Sequence, residues 1–283
     1  MMRRLIRGVL ALVALMLVGS ACASPSDHAP ISTAPKEDPA TAASETDSSS
    51  APLTLRVGSY NIAHGRECGF DMRTLAADIV DRQLDVVGLQ EVDVGCSRSE
   101  LADQIALLSE YTALPYYSFT EAVSLPGANG SDGRYGTAIL SRYPLQSAAS
   151  HSLPSGKYEP RKMGCAMIEI GDRIIHLYNT HLSYENADLR RTQLEELADR
   201  TRTEHLVIVT GDFNVDSMAD FAPVGHLERA VTEDGHPVTF PSGGKSIDNI
   251  LFSPTFALAS RFALQTGHSD HCLLVAELTL SEN

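Results

Sequence analysis

Side chains that can transfer protons or hold a cation recur where the strand-like segments of this sequence end. Carboxylates and imidazoles exchange protons, and carboxylate and amide oxygens are the ligands that hard divalent cations prefer. Rigid folds place functional groups at strand ends and in the loops that follow them. The residues of this kind are Asn61, Glu91, His181, Asp212, Asn214, Asp248, Asp270 and His271.

Taken one at a time, these residues indicate no more than ordinary loop structure. Gly211-Asp212-Phe213-Asn214 alone is typical of a turn, and Ser269-Asp270-His271 is typical of a loop or cap. Glu91 alone is typical of a solvated carboxylate, and Asp248 of a strand edge. Turns do not explain the whole set, which recurs at one strand boundary after another and favours a shared site.

Hydrophobic periodicity predicts the elements that position these residues. Asp71 caps an amphipathic helix that runs to residue 80, with apolar side chains at the i, i+3 and i+4 spacing. Short apolar runs predict strands that are buried on both faces. The predicted strands cover 53–62, 85–90, 116–123, 136–142, 165–170, 174–181 and 206–209, the other helices cover 101–108 and 187–202, and residues 246–280 are mostly strand and turn.

The order of these elements predicts two sheets rather than one wound sheet. Helices and strands alternate at first, strands then follow one another without helices, and the alternation returns. Two sheets packed face to face leave the helices to cover the outside. We find no internal repeat and no second linker, so residues 53–283 are predicted to form one domain.

The first 22 residues are predicted to be a signal peptide rather than part of the fold. Three arginines precede an apolar run over residues 8–19, which is shorter than a membrane-spanning helix. Two cleavage sites fit the small residues that follow. A lipoprotein-type site, which we favour, would leave Cys22 lipidated at the new N-terminus, and an Ala-x-Ala site at 21–23 would release a secreted protein.

Residues 23–52 are predicted to be a disordered tether. Of these 30 residues, 22 are Ala, Ser, Thr or Pro, and none is aromatic. Such a segment cannot bury enough apolar surface to offset the entropy cost of ordering. We therefore expect a monomer outside the cytoplasm that is held to a membrane by its lipid, with a freely secreted protein as the alternative.

Composition and charge exclude several classes of protein. A chain of 283 residues that is 43% hydrophobic and 20% charged is neither collagen-like, nor fully disordered, nor a multi-span membrane protein. The net charge of −14 argues against binding nucleic acid through a basic face. An enzyme that meets phosphate through a bound cation is compatible with this charge.

Four cysteines follow the predicted signal peptide, namely Cys68, Cys96, Cys165 and Cys272. None has the spacing of a zinc site. Export permits disulfides, and Cys68 and Cys96 both lie in loops just after strand-like segments, so a bridge between them and two free thiols are the alternatives. Cys165 and Cys272 lie in apolar runs and are predicted to be small core residues.

In this order the polar residues and their neighbours resemble the endonuclease/exonuclease/phosphatase superfamily. That group includes exonuclease III-like nucleases, pancreatic deoxyribonuclease, sphingomyelinases and inositol polyphosphate 5-phosphatases. The resemblance covers about residues 53–280 and implies a four-layer α/β/β/α sandwich of two packed mixed β-sheets flanked by helices, with the active site at one end. The matching strings are Ser59-Tyr60-Asn61-Ile62, Leu89-Gln90-Glu91-Val92, Tyr135-Gly136-Thr137-Ala138-Ile139-Leu140-Ser141-Arg142, Asn179-Thr180-His181-Leu182, Gly211-Asp212-Phe213-Asn214, Ser246-Ile247-Asp248 and Ser269-Asp270-His271.

The resemblance implies a metal-dependent hydrolase of phosphoester bonds. Asn61, Glu91 and Asp270 correspond to ligands of Mg²⁺, with Mn²⁺ as the alternative ion, and their oxygens suit such hard cations. The metal would neutralise charge on a phosphate oxygen and on the leaving oxygen. Arg161 stands in a Glu-Pro-Arg string that related sequences carry, which implies a phosphate contact, with a surface arginine as the alternative.

The same resemblance implies roles for the remaining residues. Asp212 corresponds to the residue that orients and deprotonates the attacking water, and Asn214 to one that fixes the water or a phosphate oxygen. His181 and His271 correspond to hydrogen-bond donors to the phosphate as negative charge builds. Asp248 corresponds to the carboxylate partner of His271, and such a partner favours the imidazolium form.

The sequence leaves the substrate open. The chain has no Trp, and residues 243–248 lack the string usual in inositol phosphatases, which disfavours that branch. No aromatic-rich loop of the kind that secreted sphingomyelinases offer to membranes is visible. Phosphodiesters from nucleic acid or lipid are favoured. The alternatives are a lipid- or inositol-type phosphoesterase, a toxin-like nuclease, and a non-catalytic lipoprotein binding module on the same fold.

Overall fold

The computed structural model describes residues 31–32, 52–215, 217–233 and 237–280. The predicted signal peptide with Cys22, and most of the predicted tether, lie outside these residues. The α-helices of the described residues are α1 (Met72–Val80), α2 (Gln104–Thr112) and α3 (Ala187–Thr201). The strands are β1 (Ile31–Ser32), β2 (Leu53–Asn61), β3 (Val86–Val94), β4 (Tyr116–Pro126), β5 (Asp132–Ser141), β6 (Gln146–Leu153), β7 (Arg161–Ile170), β8 (Arg173–His181), β9 (Val207–Asp212), β10 (Glu228–Arg229), β11 (Asp248–Phe252), β12 (Phe256–Leu264) and β13 (Leu273–Leu280).

These strands form two mixed sheets. The first sheet has the order β1-β4-β5-β3-β2-β13-β12, and the second has the order β10-β11-β9-β8-β7-β6. Neighbouring strands are antiparallel, except that β2 and β3 are parallel and so are β8 and β9. A parallel pair needs a crossover connection, and these are supplied by α1 and α3. The crossovers place these helices on the faces of the sheets.

Apolar side chains form three layers between the sheets and helices. The central layer joins the two sheets and includes Leu55 and Ile208, both buried. A second layer lies between the first sheet and the helices α1 and α2, where Leu75 and Leu108 are buried. A third lies under α3 and includes Leu194. The predicted α/β/β/α sandwich is therefore confirmed.

N-terminal caps decide where each helix begins. The side chains of Asp71 and Asn186 each accept a hydrogen bond from the backbone of the first turn, and the helices start as predicted. The helix predicted over 101–108 instead begins after its cap Asp103, because Leu101 has a φ of 62° and cannot continue a right-handed helix. No helix in the described part of the chain is long and apolar enough to cross a membrane.

Some strands differ from the prediction in extent. Strand β6 has no predicted counterpart, because its Ser- and Ala-rich sequence shows little apolar alternation at this sheet edge. Strand β7 begins at Arg161, ahead of the predicted start, so Arg161 lies in the strand rather than before it. Strand β3 continues to Val94, past the predicted end at residue 90.

All four cysteines in the described residues are free. Cys68 Sγ lies 3.3 Å from a carbonyl oxygen of its own loop, and Cys96 Sγ lies 3.3 Å from the Arg134 carbonyl oxygen. The two sulfurs therefore engage different backbone groups, and the alternative of a Cys68–Cys96 bridge is wrong. Cys272 is buried as predicted, whereas Cys165 is only half-buried.

Candidate functional site

The ends of three neighbouring strands in the second sheet bring three of the predicted residues side by side. His181 is the last residue of β8, Asp212 is the last of β9, and Asp248 is the first of β11. In the sheet register, Asp212 pairs with His181 on one side and with Asp248 on the other. All three are buried. The sheet thus builds a row of one imidazole and two carboxylates at one end of the sandwich.

The first sheet supplies the residues that face this row. Asn61 is the last residue of β2, and Asp270 and His271 lie in the loop before β13, the neighbour of β2. The Ser269 hydroxyl in this loop donates to the Asn61 carbonyl oxygen at 2.7 Å and ties the loop to the end of β2. Asn61 Nδ2 donates to Asp212 Oδ2 at 3.1 Å, so the site joins the two sheets.

Glu91 reaches the site because β3 contains a bulge. Gln90 and Glu91 together lie opposite the single residue Thr137 of β5, and Glu91 has a φ of 57°. A bulge re-aims side chains away from simple alternation. Glu91 Oε1 consequently accepts a hydrogen bond from Asn61 Nδ2 at 3.1 Å. The sequence prediction, which placed Glu91 beyond the end of the strand, is wrong on this point.

His271 lies between two carboxylates. Its Nδ1 is 2.8 Å from Asp248 Oδ2, and its Nε2 is 3.7 Å from Asp212 Oδ2. Burial lowers the pKa of His271, but the charge and hydrogen bond of Asp248 outweigh burial. With the added charges of Asp212 and Asp270 they raise this pKa to about 10. His271 is therefore an imidazolium at neutral pH, and the predicted Asp248–His271 pairing is present in the geometry.

His181 is equally buried but is neutral at neutral pH. Burial and the charge of Arg161 lower its pKa to about 3, and the charge of Glu91 opposes this shift only in part. His181 Nε2 lies 3.5 Å from Asp212 Oδ2. The site therefore holds a neutral imidazole on one side of Asp212 and a charged imidazole on the other.

Asp212 is the centre of this arrangement. Its Oδ1 accepts from the Asn214 backbone N–H at 3.1 Å, and its Oδ2 accepts from Asn61 Nδ2. Burial and the charge of Asp248 raise the pKa of Asp212 well above its ordinary value, against the opposing effects of His271 and these two hydrogen bonds. A carboxylate with a raised pKa accepts a proton more readily than an ordinary aspartate does.

Asn214 holds the loop after β9 in place. It has a φ of 51°, and its side-chain Nδ2 donates to the Leu182 carbonyl oxygen at 3.0 Å. This bond connects the loops after β8 and β9 next to His181. The predicted contact of Asn214 with water or phosphate stays a prediction.

Asp212, Asp248 and His271 offer one group of atoms that could hold a metal ion. One ligand atom from each lies within 4.8 Å of the other two. The two carboxylates face opposite nitrogens of the His271 ring, however, and the Asp248 contact is a short hydrogen bond. Because a hydrogen bond of 2.8 Å already joins Asp248 to His271, we regard this group as a proton-sharing network.

Glu91 and Asn61 are two predicted metal ligands that the structure brings into contact. Burial raises the pKa of Glu91, but the contact with His64, the His181 imidazole and the Asn61 amide outweigh burial and lower the pKa to about 2. The carboxylate is therefore ionised at neutral pH. His64 Nδ1 lies 3.6 Å from Glu91 Oε2, so this histidine borders the site.

Asn61 and Asp270 are the predicted metal ligands besides Glu91, and they differ in how far other groups occupy their oxygens. Asn61 Oδ1 accepts from the Ala63 backbone N–H at 3.0 Å and keeps one lone pair for another partner. The Asp270 carboxylate is about one-third exposed, and Arg66 Nη2 lies 3.4 Å from its Oδ2. The three oxygen donors are hard ligands, and their chemistry fits Mg²⁺ or Mn²⁺.

Arg161 is a buried cation beside the site. Its Nη1 lies 3.1 Å from Glu159 Oε1, and its Nε has no hydrogen-bond partner among the described residues. Its charge helps to keep His181 neutral. The alternative of a surface arginine is therefore wrong, while the predicted phosphate contact stays a prediction.

Sequence reasoning missed a buried amide network beneath the site. Gln90 Nε2 donates to Asn179 Oδ1 at 2.7 Å, and Asn179 Nδ2 donates to two main-chain carbonyl oxygens of the first sheet at 2.8 Å each. Thr210 Oγ1 donates to the same Asn179 oxygen at 3.1 Å. A Cβ at Gly88 would clash with the Thr210 side chain, so the glycine permits this close approach of the sheets. The available signal was two amides inside otherwise apolar strand runs.

A second unpredicted contact holds the loop that carries Asp270 and His271. His268 Nδ1 lies 3.0 Å from Asp78 Oδ2 on α1. The Tyr60 hydroxyl donates to the same oxygen at 3.2 Å. The loop is thus fixed both to β2 and to α1, and His268 supports the site without lying in it.

Comparison with known proteins agrees with this geometry. The model of the Endonuclease/Exonuclease/phosphatase family matches residues 58–271, a range that includes the whole candidate site. No curated protein matches the sequence.

Solved structures share the fold at low sequence identity. An endonuclease/exonuclease/phosphatase from Beutenbergia cavernae is 23% identical with a TM-score of 0.67, over 81% of this chain and 72% of that one. A family protein from Bacteroides thetaiotaomicron is 19% identical with a TM-score of 0.64, over 82% and 100%. TDP2 from Caenorhabditis elegans is 19% identical with a TM-score of 0.61, over 80% and 74%. The chain belongs to the endonuclease/exonuclease/phosphatase family.

Proposed function

We propose that this protein is a divalent-metal-dependent hydrolase of phosphoester bonds, with phosphodiesters as its preferred class. Members of its family are typically phosphoester hydrolases and generally use divalent metal ions. The observation that carries the proposal is the position of the Asp212 carboxylate, 3.5 Å from the neutral His181 and 3.7 Å from the charged His271. Two imidazoles in different protonation states beside one carboxylate suit acid–base chemistry.

In this proposal Asp212 orients the attacking water and takes its proton. A general base works best when its pKa approaches the working pH, and the burial of Asp212 and its neighbour Asp248 raise its pKa in that direction. The Asn61 and Asn214 hydrogen bonds fix the carboxylate, so its position does not depend on the substrate.

The two histidines bind the phosphoryl group in different ways. The imidazolium of His271 offers a positive charge as well as a hydrogen bond, and the neutral His181 offers only a hydrogen bond. Both suit non-bridging oxygens on which negative charge increases in the transition state. Arg161 adds a fixed positive charge behind His181.

Glu91, Asn61 and Asp270 would hold the metal ion. A bound Mg²⁺ or Mn²⁺ supplies neutralisation of charge on the phosphate and leaving oxygens. The low pKa of Glu91 keeps one full negative charge at the site at neutral pH. The bulge at Glu91 supports this assignment, because the backbone adopts an uncommon conformation that aims the carboxylate into the site.

A non-catalytic binding module is the rival function. A binding surface gains nothing from a buried carboxylate such as Asp212, whose pKa is raised by burial and by the charge of Asp248. A lipid- or inositol-type phosphoesterase is a second rival within the same chemistry. It finds less support, because no aromatic-rich loop and no Trp are present in the chain.

Hydrolysis of bis(p-nitrophenyl) phosphate by the chain without its predicted signal peptide tests the proposal. We expect Mg²⁺-dependent turnover that EDTA abolishes and that Asp212→Asn lowers by at least about 100-fold. Asp199→Asn, an exposed change on α3, is the matched control and leaves the rate unchanged. Calorimetric binding of Mg²⁺ without turnover of any phosphoester would instead support the binding module.

We also propose that the protein acts outside the cytoplasm and is anchored to a membrane through Cys22. The basic start, the short apolar run and the Ala-, Ser-, Thr- and Pro-rich segment after it support this location. Labelled palmitate should enter the intact chain and not its Cys22→Ser variant. An unlabelled protein recovered from the medium would favour cleavage at 21–23.

A further inference from the structure

Tyr184 is an exposed aromatic side chain next to the candidate site. Its relative exposure is 68%, which exceeds that of every other exposed large apolar side chain in the described residues. It lies three residues after His181, in the connection between β8 and α3. An aromatic ring that is so exposed contributes little to the core, so folding does not account for it.

The backbone that carries Tyr184 is held firmly. The buried Arg190 donates from Nη1 to the Tyr184 carbonyl oxygen at 3.1 Å. The buried Gln193 accepts from the Ser183 backbone N–H at 3.0 Å. Tyr184 is therefore an exposed ring on a fixed support, which is the form that binding subsites use to limit the entropy cost of binding.

The same segment is tied directly to the catalytic row. The Leu182 backbone N–H donates to the Asp212 carbonyl oxygen at 2.9 Å, and the Leu182 carbonyl accepts from Asn214 Nδ2. Tyr184 thus lies two positions after Leu182, whose backbone is hydrogen-bonded to the proposed base Asp212. The backbone segment that carries Tyr184 therefore begins at the end of the sheet where His181 and Asp212 lie.

Charge near Tyr184 disfavours recognition of further phosphates there. Glu185 follows it in sequence and lies close enough to Glu159 for their charges to interact. The whole chain carries a net charge of −14. Around Tyr184, the protein must therefore contact the rest of the substrate through a neutral group. The aromatic ring of Tyr184 can do so by stacking.

We propose that Tyr184 is a specificity-determining residue that stacks on a planar ring, such as a nucleobase, carried by the phosphodiester substrate. This inference rests on the proposed function and narrows its substrate class. Stacking needs an aromatic face rather than the hydroxyl, because bases stack on aromatic side chains through their π faces. The hydroxyl of Tyr184 has no part in the proposal.

A matched pair of substrates tests this role. Thymidine 5′-(p-nitrophenyl phosphate) and methyl p-nitrophenyl phosphate release the same leaving group, but only the first carries a base. We expect Tyr184→Ala and Tyr184→Leu to lower kcat/KM for the thymidine substrate about tenfold and to leave the methyl substrate unchanged. Tyr184→Phe keeps the wild-type value for both.

The control variant is Ile174→Ala. Ile174 is 52% exposed and lies on β8, at the end of the strand opposite His181. Its replacement should leave kcat/KM unchanged for both substrates. Equal losses on both substrates in Tyr184→Ala, or no preference of the wild type for the thymidine substrate, would overturn the inference.

A binding measurement separates this inference from the proposed function. Calorimetry with thymidine 5′-monophosphate should give a Kd about tenfold weaker for Tyr184→Ala than for the wild type. If the wild type hydrolyses neither substrate but this difference in Kd persists, the proposed function fails and the stacking role stands. If Kd is the same for both proteins, the stacking role is wrong whatever the rates.

Discussion

The two histidines of the site are buried to the same extent, yet they carry different charges. His271 and His181 each have a relative exposure of 6%. Burial lowers the pKa of both, but the pKa is about 10 for His271 and about 3 for His181. Asp248 and other carboxylates surround the first, and the Arg161 guanidinium acts on the second. The charge of the neighbours, rather than burial, therefore decides which imidazole holds the extra proton.

Strand order produces this difference. Asp212, at the end of β9, separates β11 with Asp248 from β8 with His181, and β7 with Arg161 lies beyond β8. One side of the row is therefore anionic and the other side is cationic. If this polarity underlies the chemistry, substitutions on the two sides of the row should change the rate and the histidine pKa values differently.

Removal of the charged imidazole should have the largest effect. We expect His271→Ala to lower kcat/KM about 100- to 1000-fold, because a preorganised charged donor to the transition state is lost. Steady-state hydrolysis of bis(p-nitrophenyl) phosphate measures the loss. His176→Ala removes a partly exposed histidine that is paired with Glu204 away from the site, and it should be nearly silent. A loss below about threefold in His271→Ala would contradict the role.

Removal of the anionic partner should change the pH dependence of the rate. Catalysis that needs the His271 imidazolium falls as pH rises through its pKa of about 10. Asp248→Asn removes the largest effect that raises this pKa, so the alkaline limb should move to lower pH by about 1–3 units. A pH–rate profile of kcat/KM checks this, and an unmoved alkaline limb in the variant would contradict the pairing.

Removal of the Arg161 guanidinium should change the pKa of His181 but not that of His271. Arg161→Gln takes away a charge that lowers the pKa of His181, so that pKa should rise by about one unit, while the pKa of His271 stays near its wild-type value. NMR titration of both imidazoles measures this. Equal shifts in both histidines would show that the site does not have two separate sides.

The free energy of unfolding should show the smallest effects, at opposite ends of the pH range. The raised pKa of His271 stabilises the fold fully below its unfolded pKa of about 6.5, and this contribution is lost as pH rises through about 10. The lowered pKa of His181 stabilises the fold above about 6.5, and this contribution is lost as pH falls towards about 3. Urea unfolding at a series of pH values measures this. For Asp248→Asn, the free energy of unfolding should fall less steeply at alkaline pH, and its fall at acid pH should match that of the wild type.

The sequence predicted the architecture and the members of the site better than it predicted their geometry. Apolar runs that are buried on both faces and the cap at Asp71 depend on local patterns, and the structure confirms them. The bulge at Glu91 depends on pairing with β5, which no local pattern reveals. The Asn179 network likewise depends on the contact between the two sheets. The charge of His271 agrees with the predicted Asp248 partner. The neutral state of His181 was not predicted, because it depends on burial and on the charge of Arg161 across the sheet.

Nitrogen-15 NMR of the histidine rings in the metal-free protein at about pH 7.5 reads the protonation of each ring nitrogen on the two sides of Asp212. Both ring nitrogens of His271 should carry protons, and His181 should be a single neutral tautomer. His271→Ala and His181→Ala assign the two signals. Two neutral rings, or two charged ones, would contradict the division between the sides of Asp212.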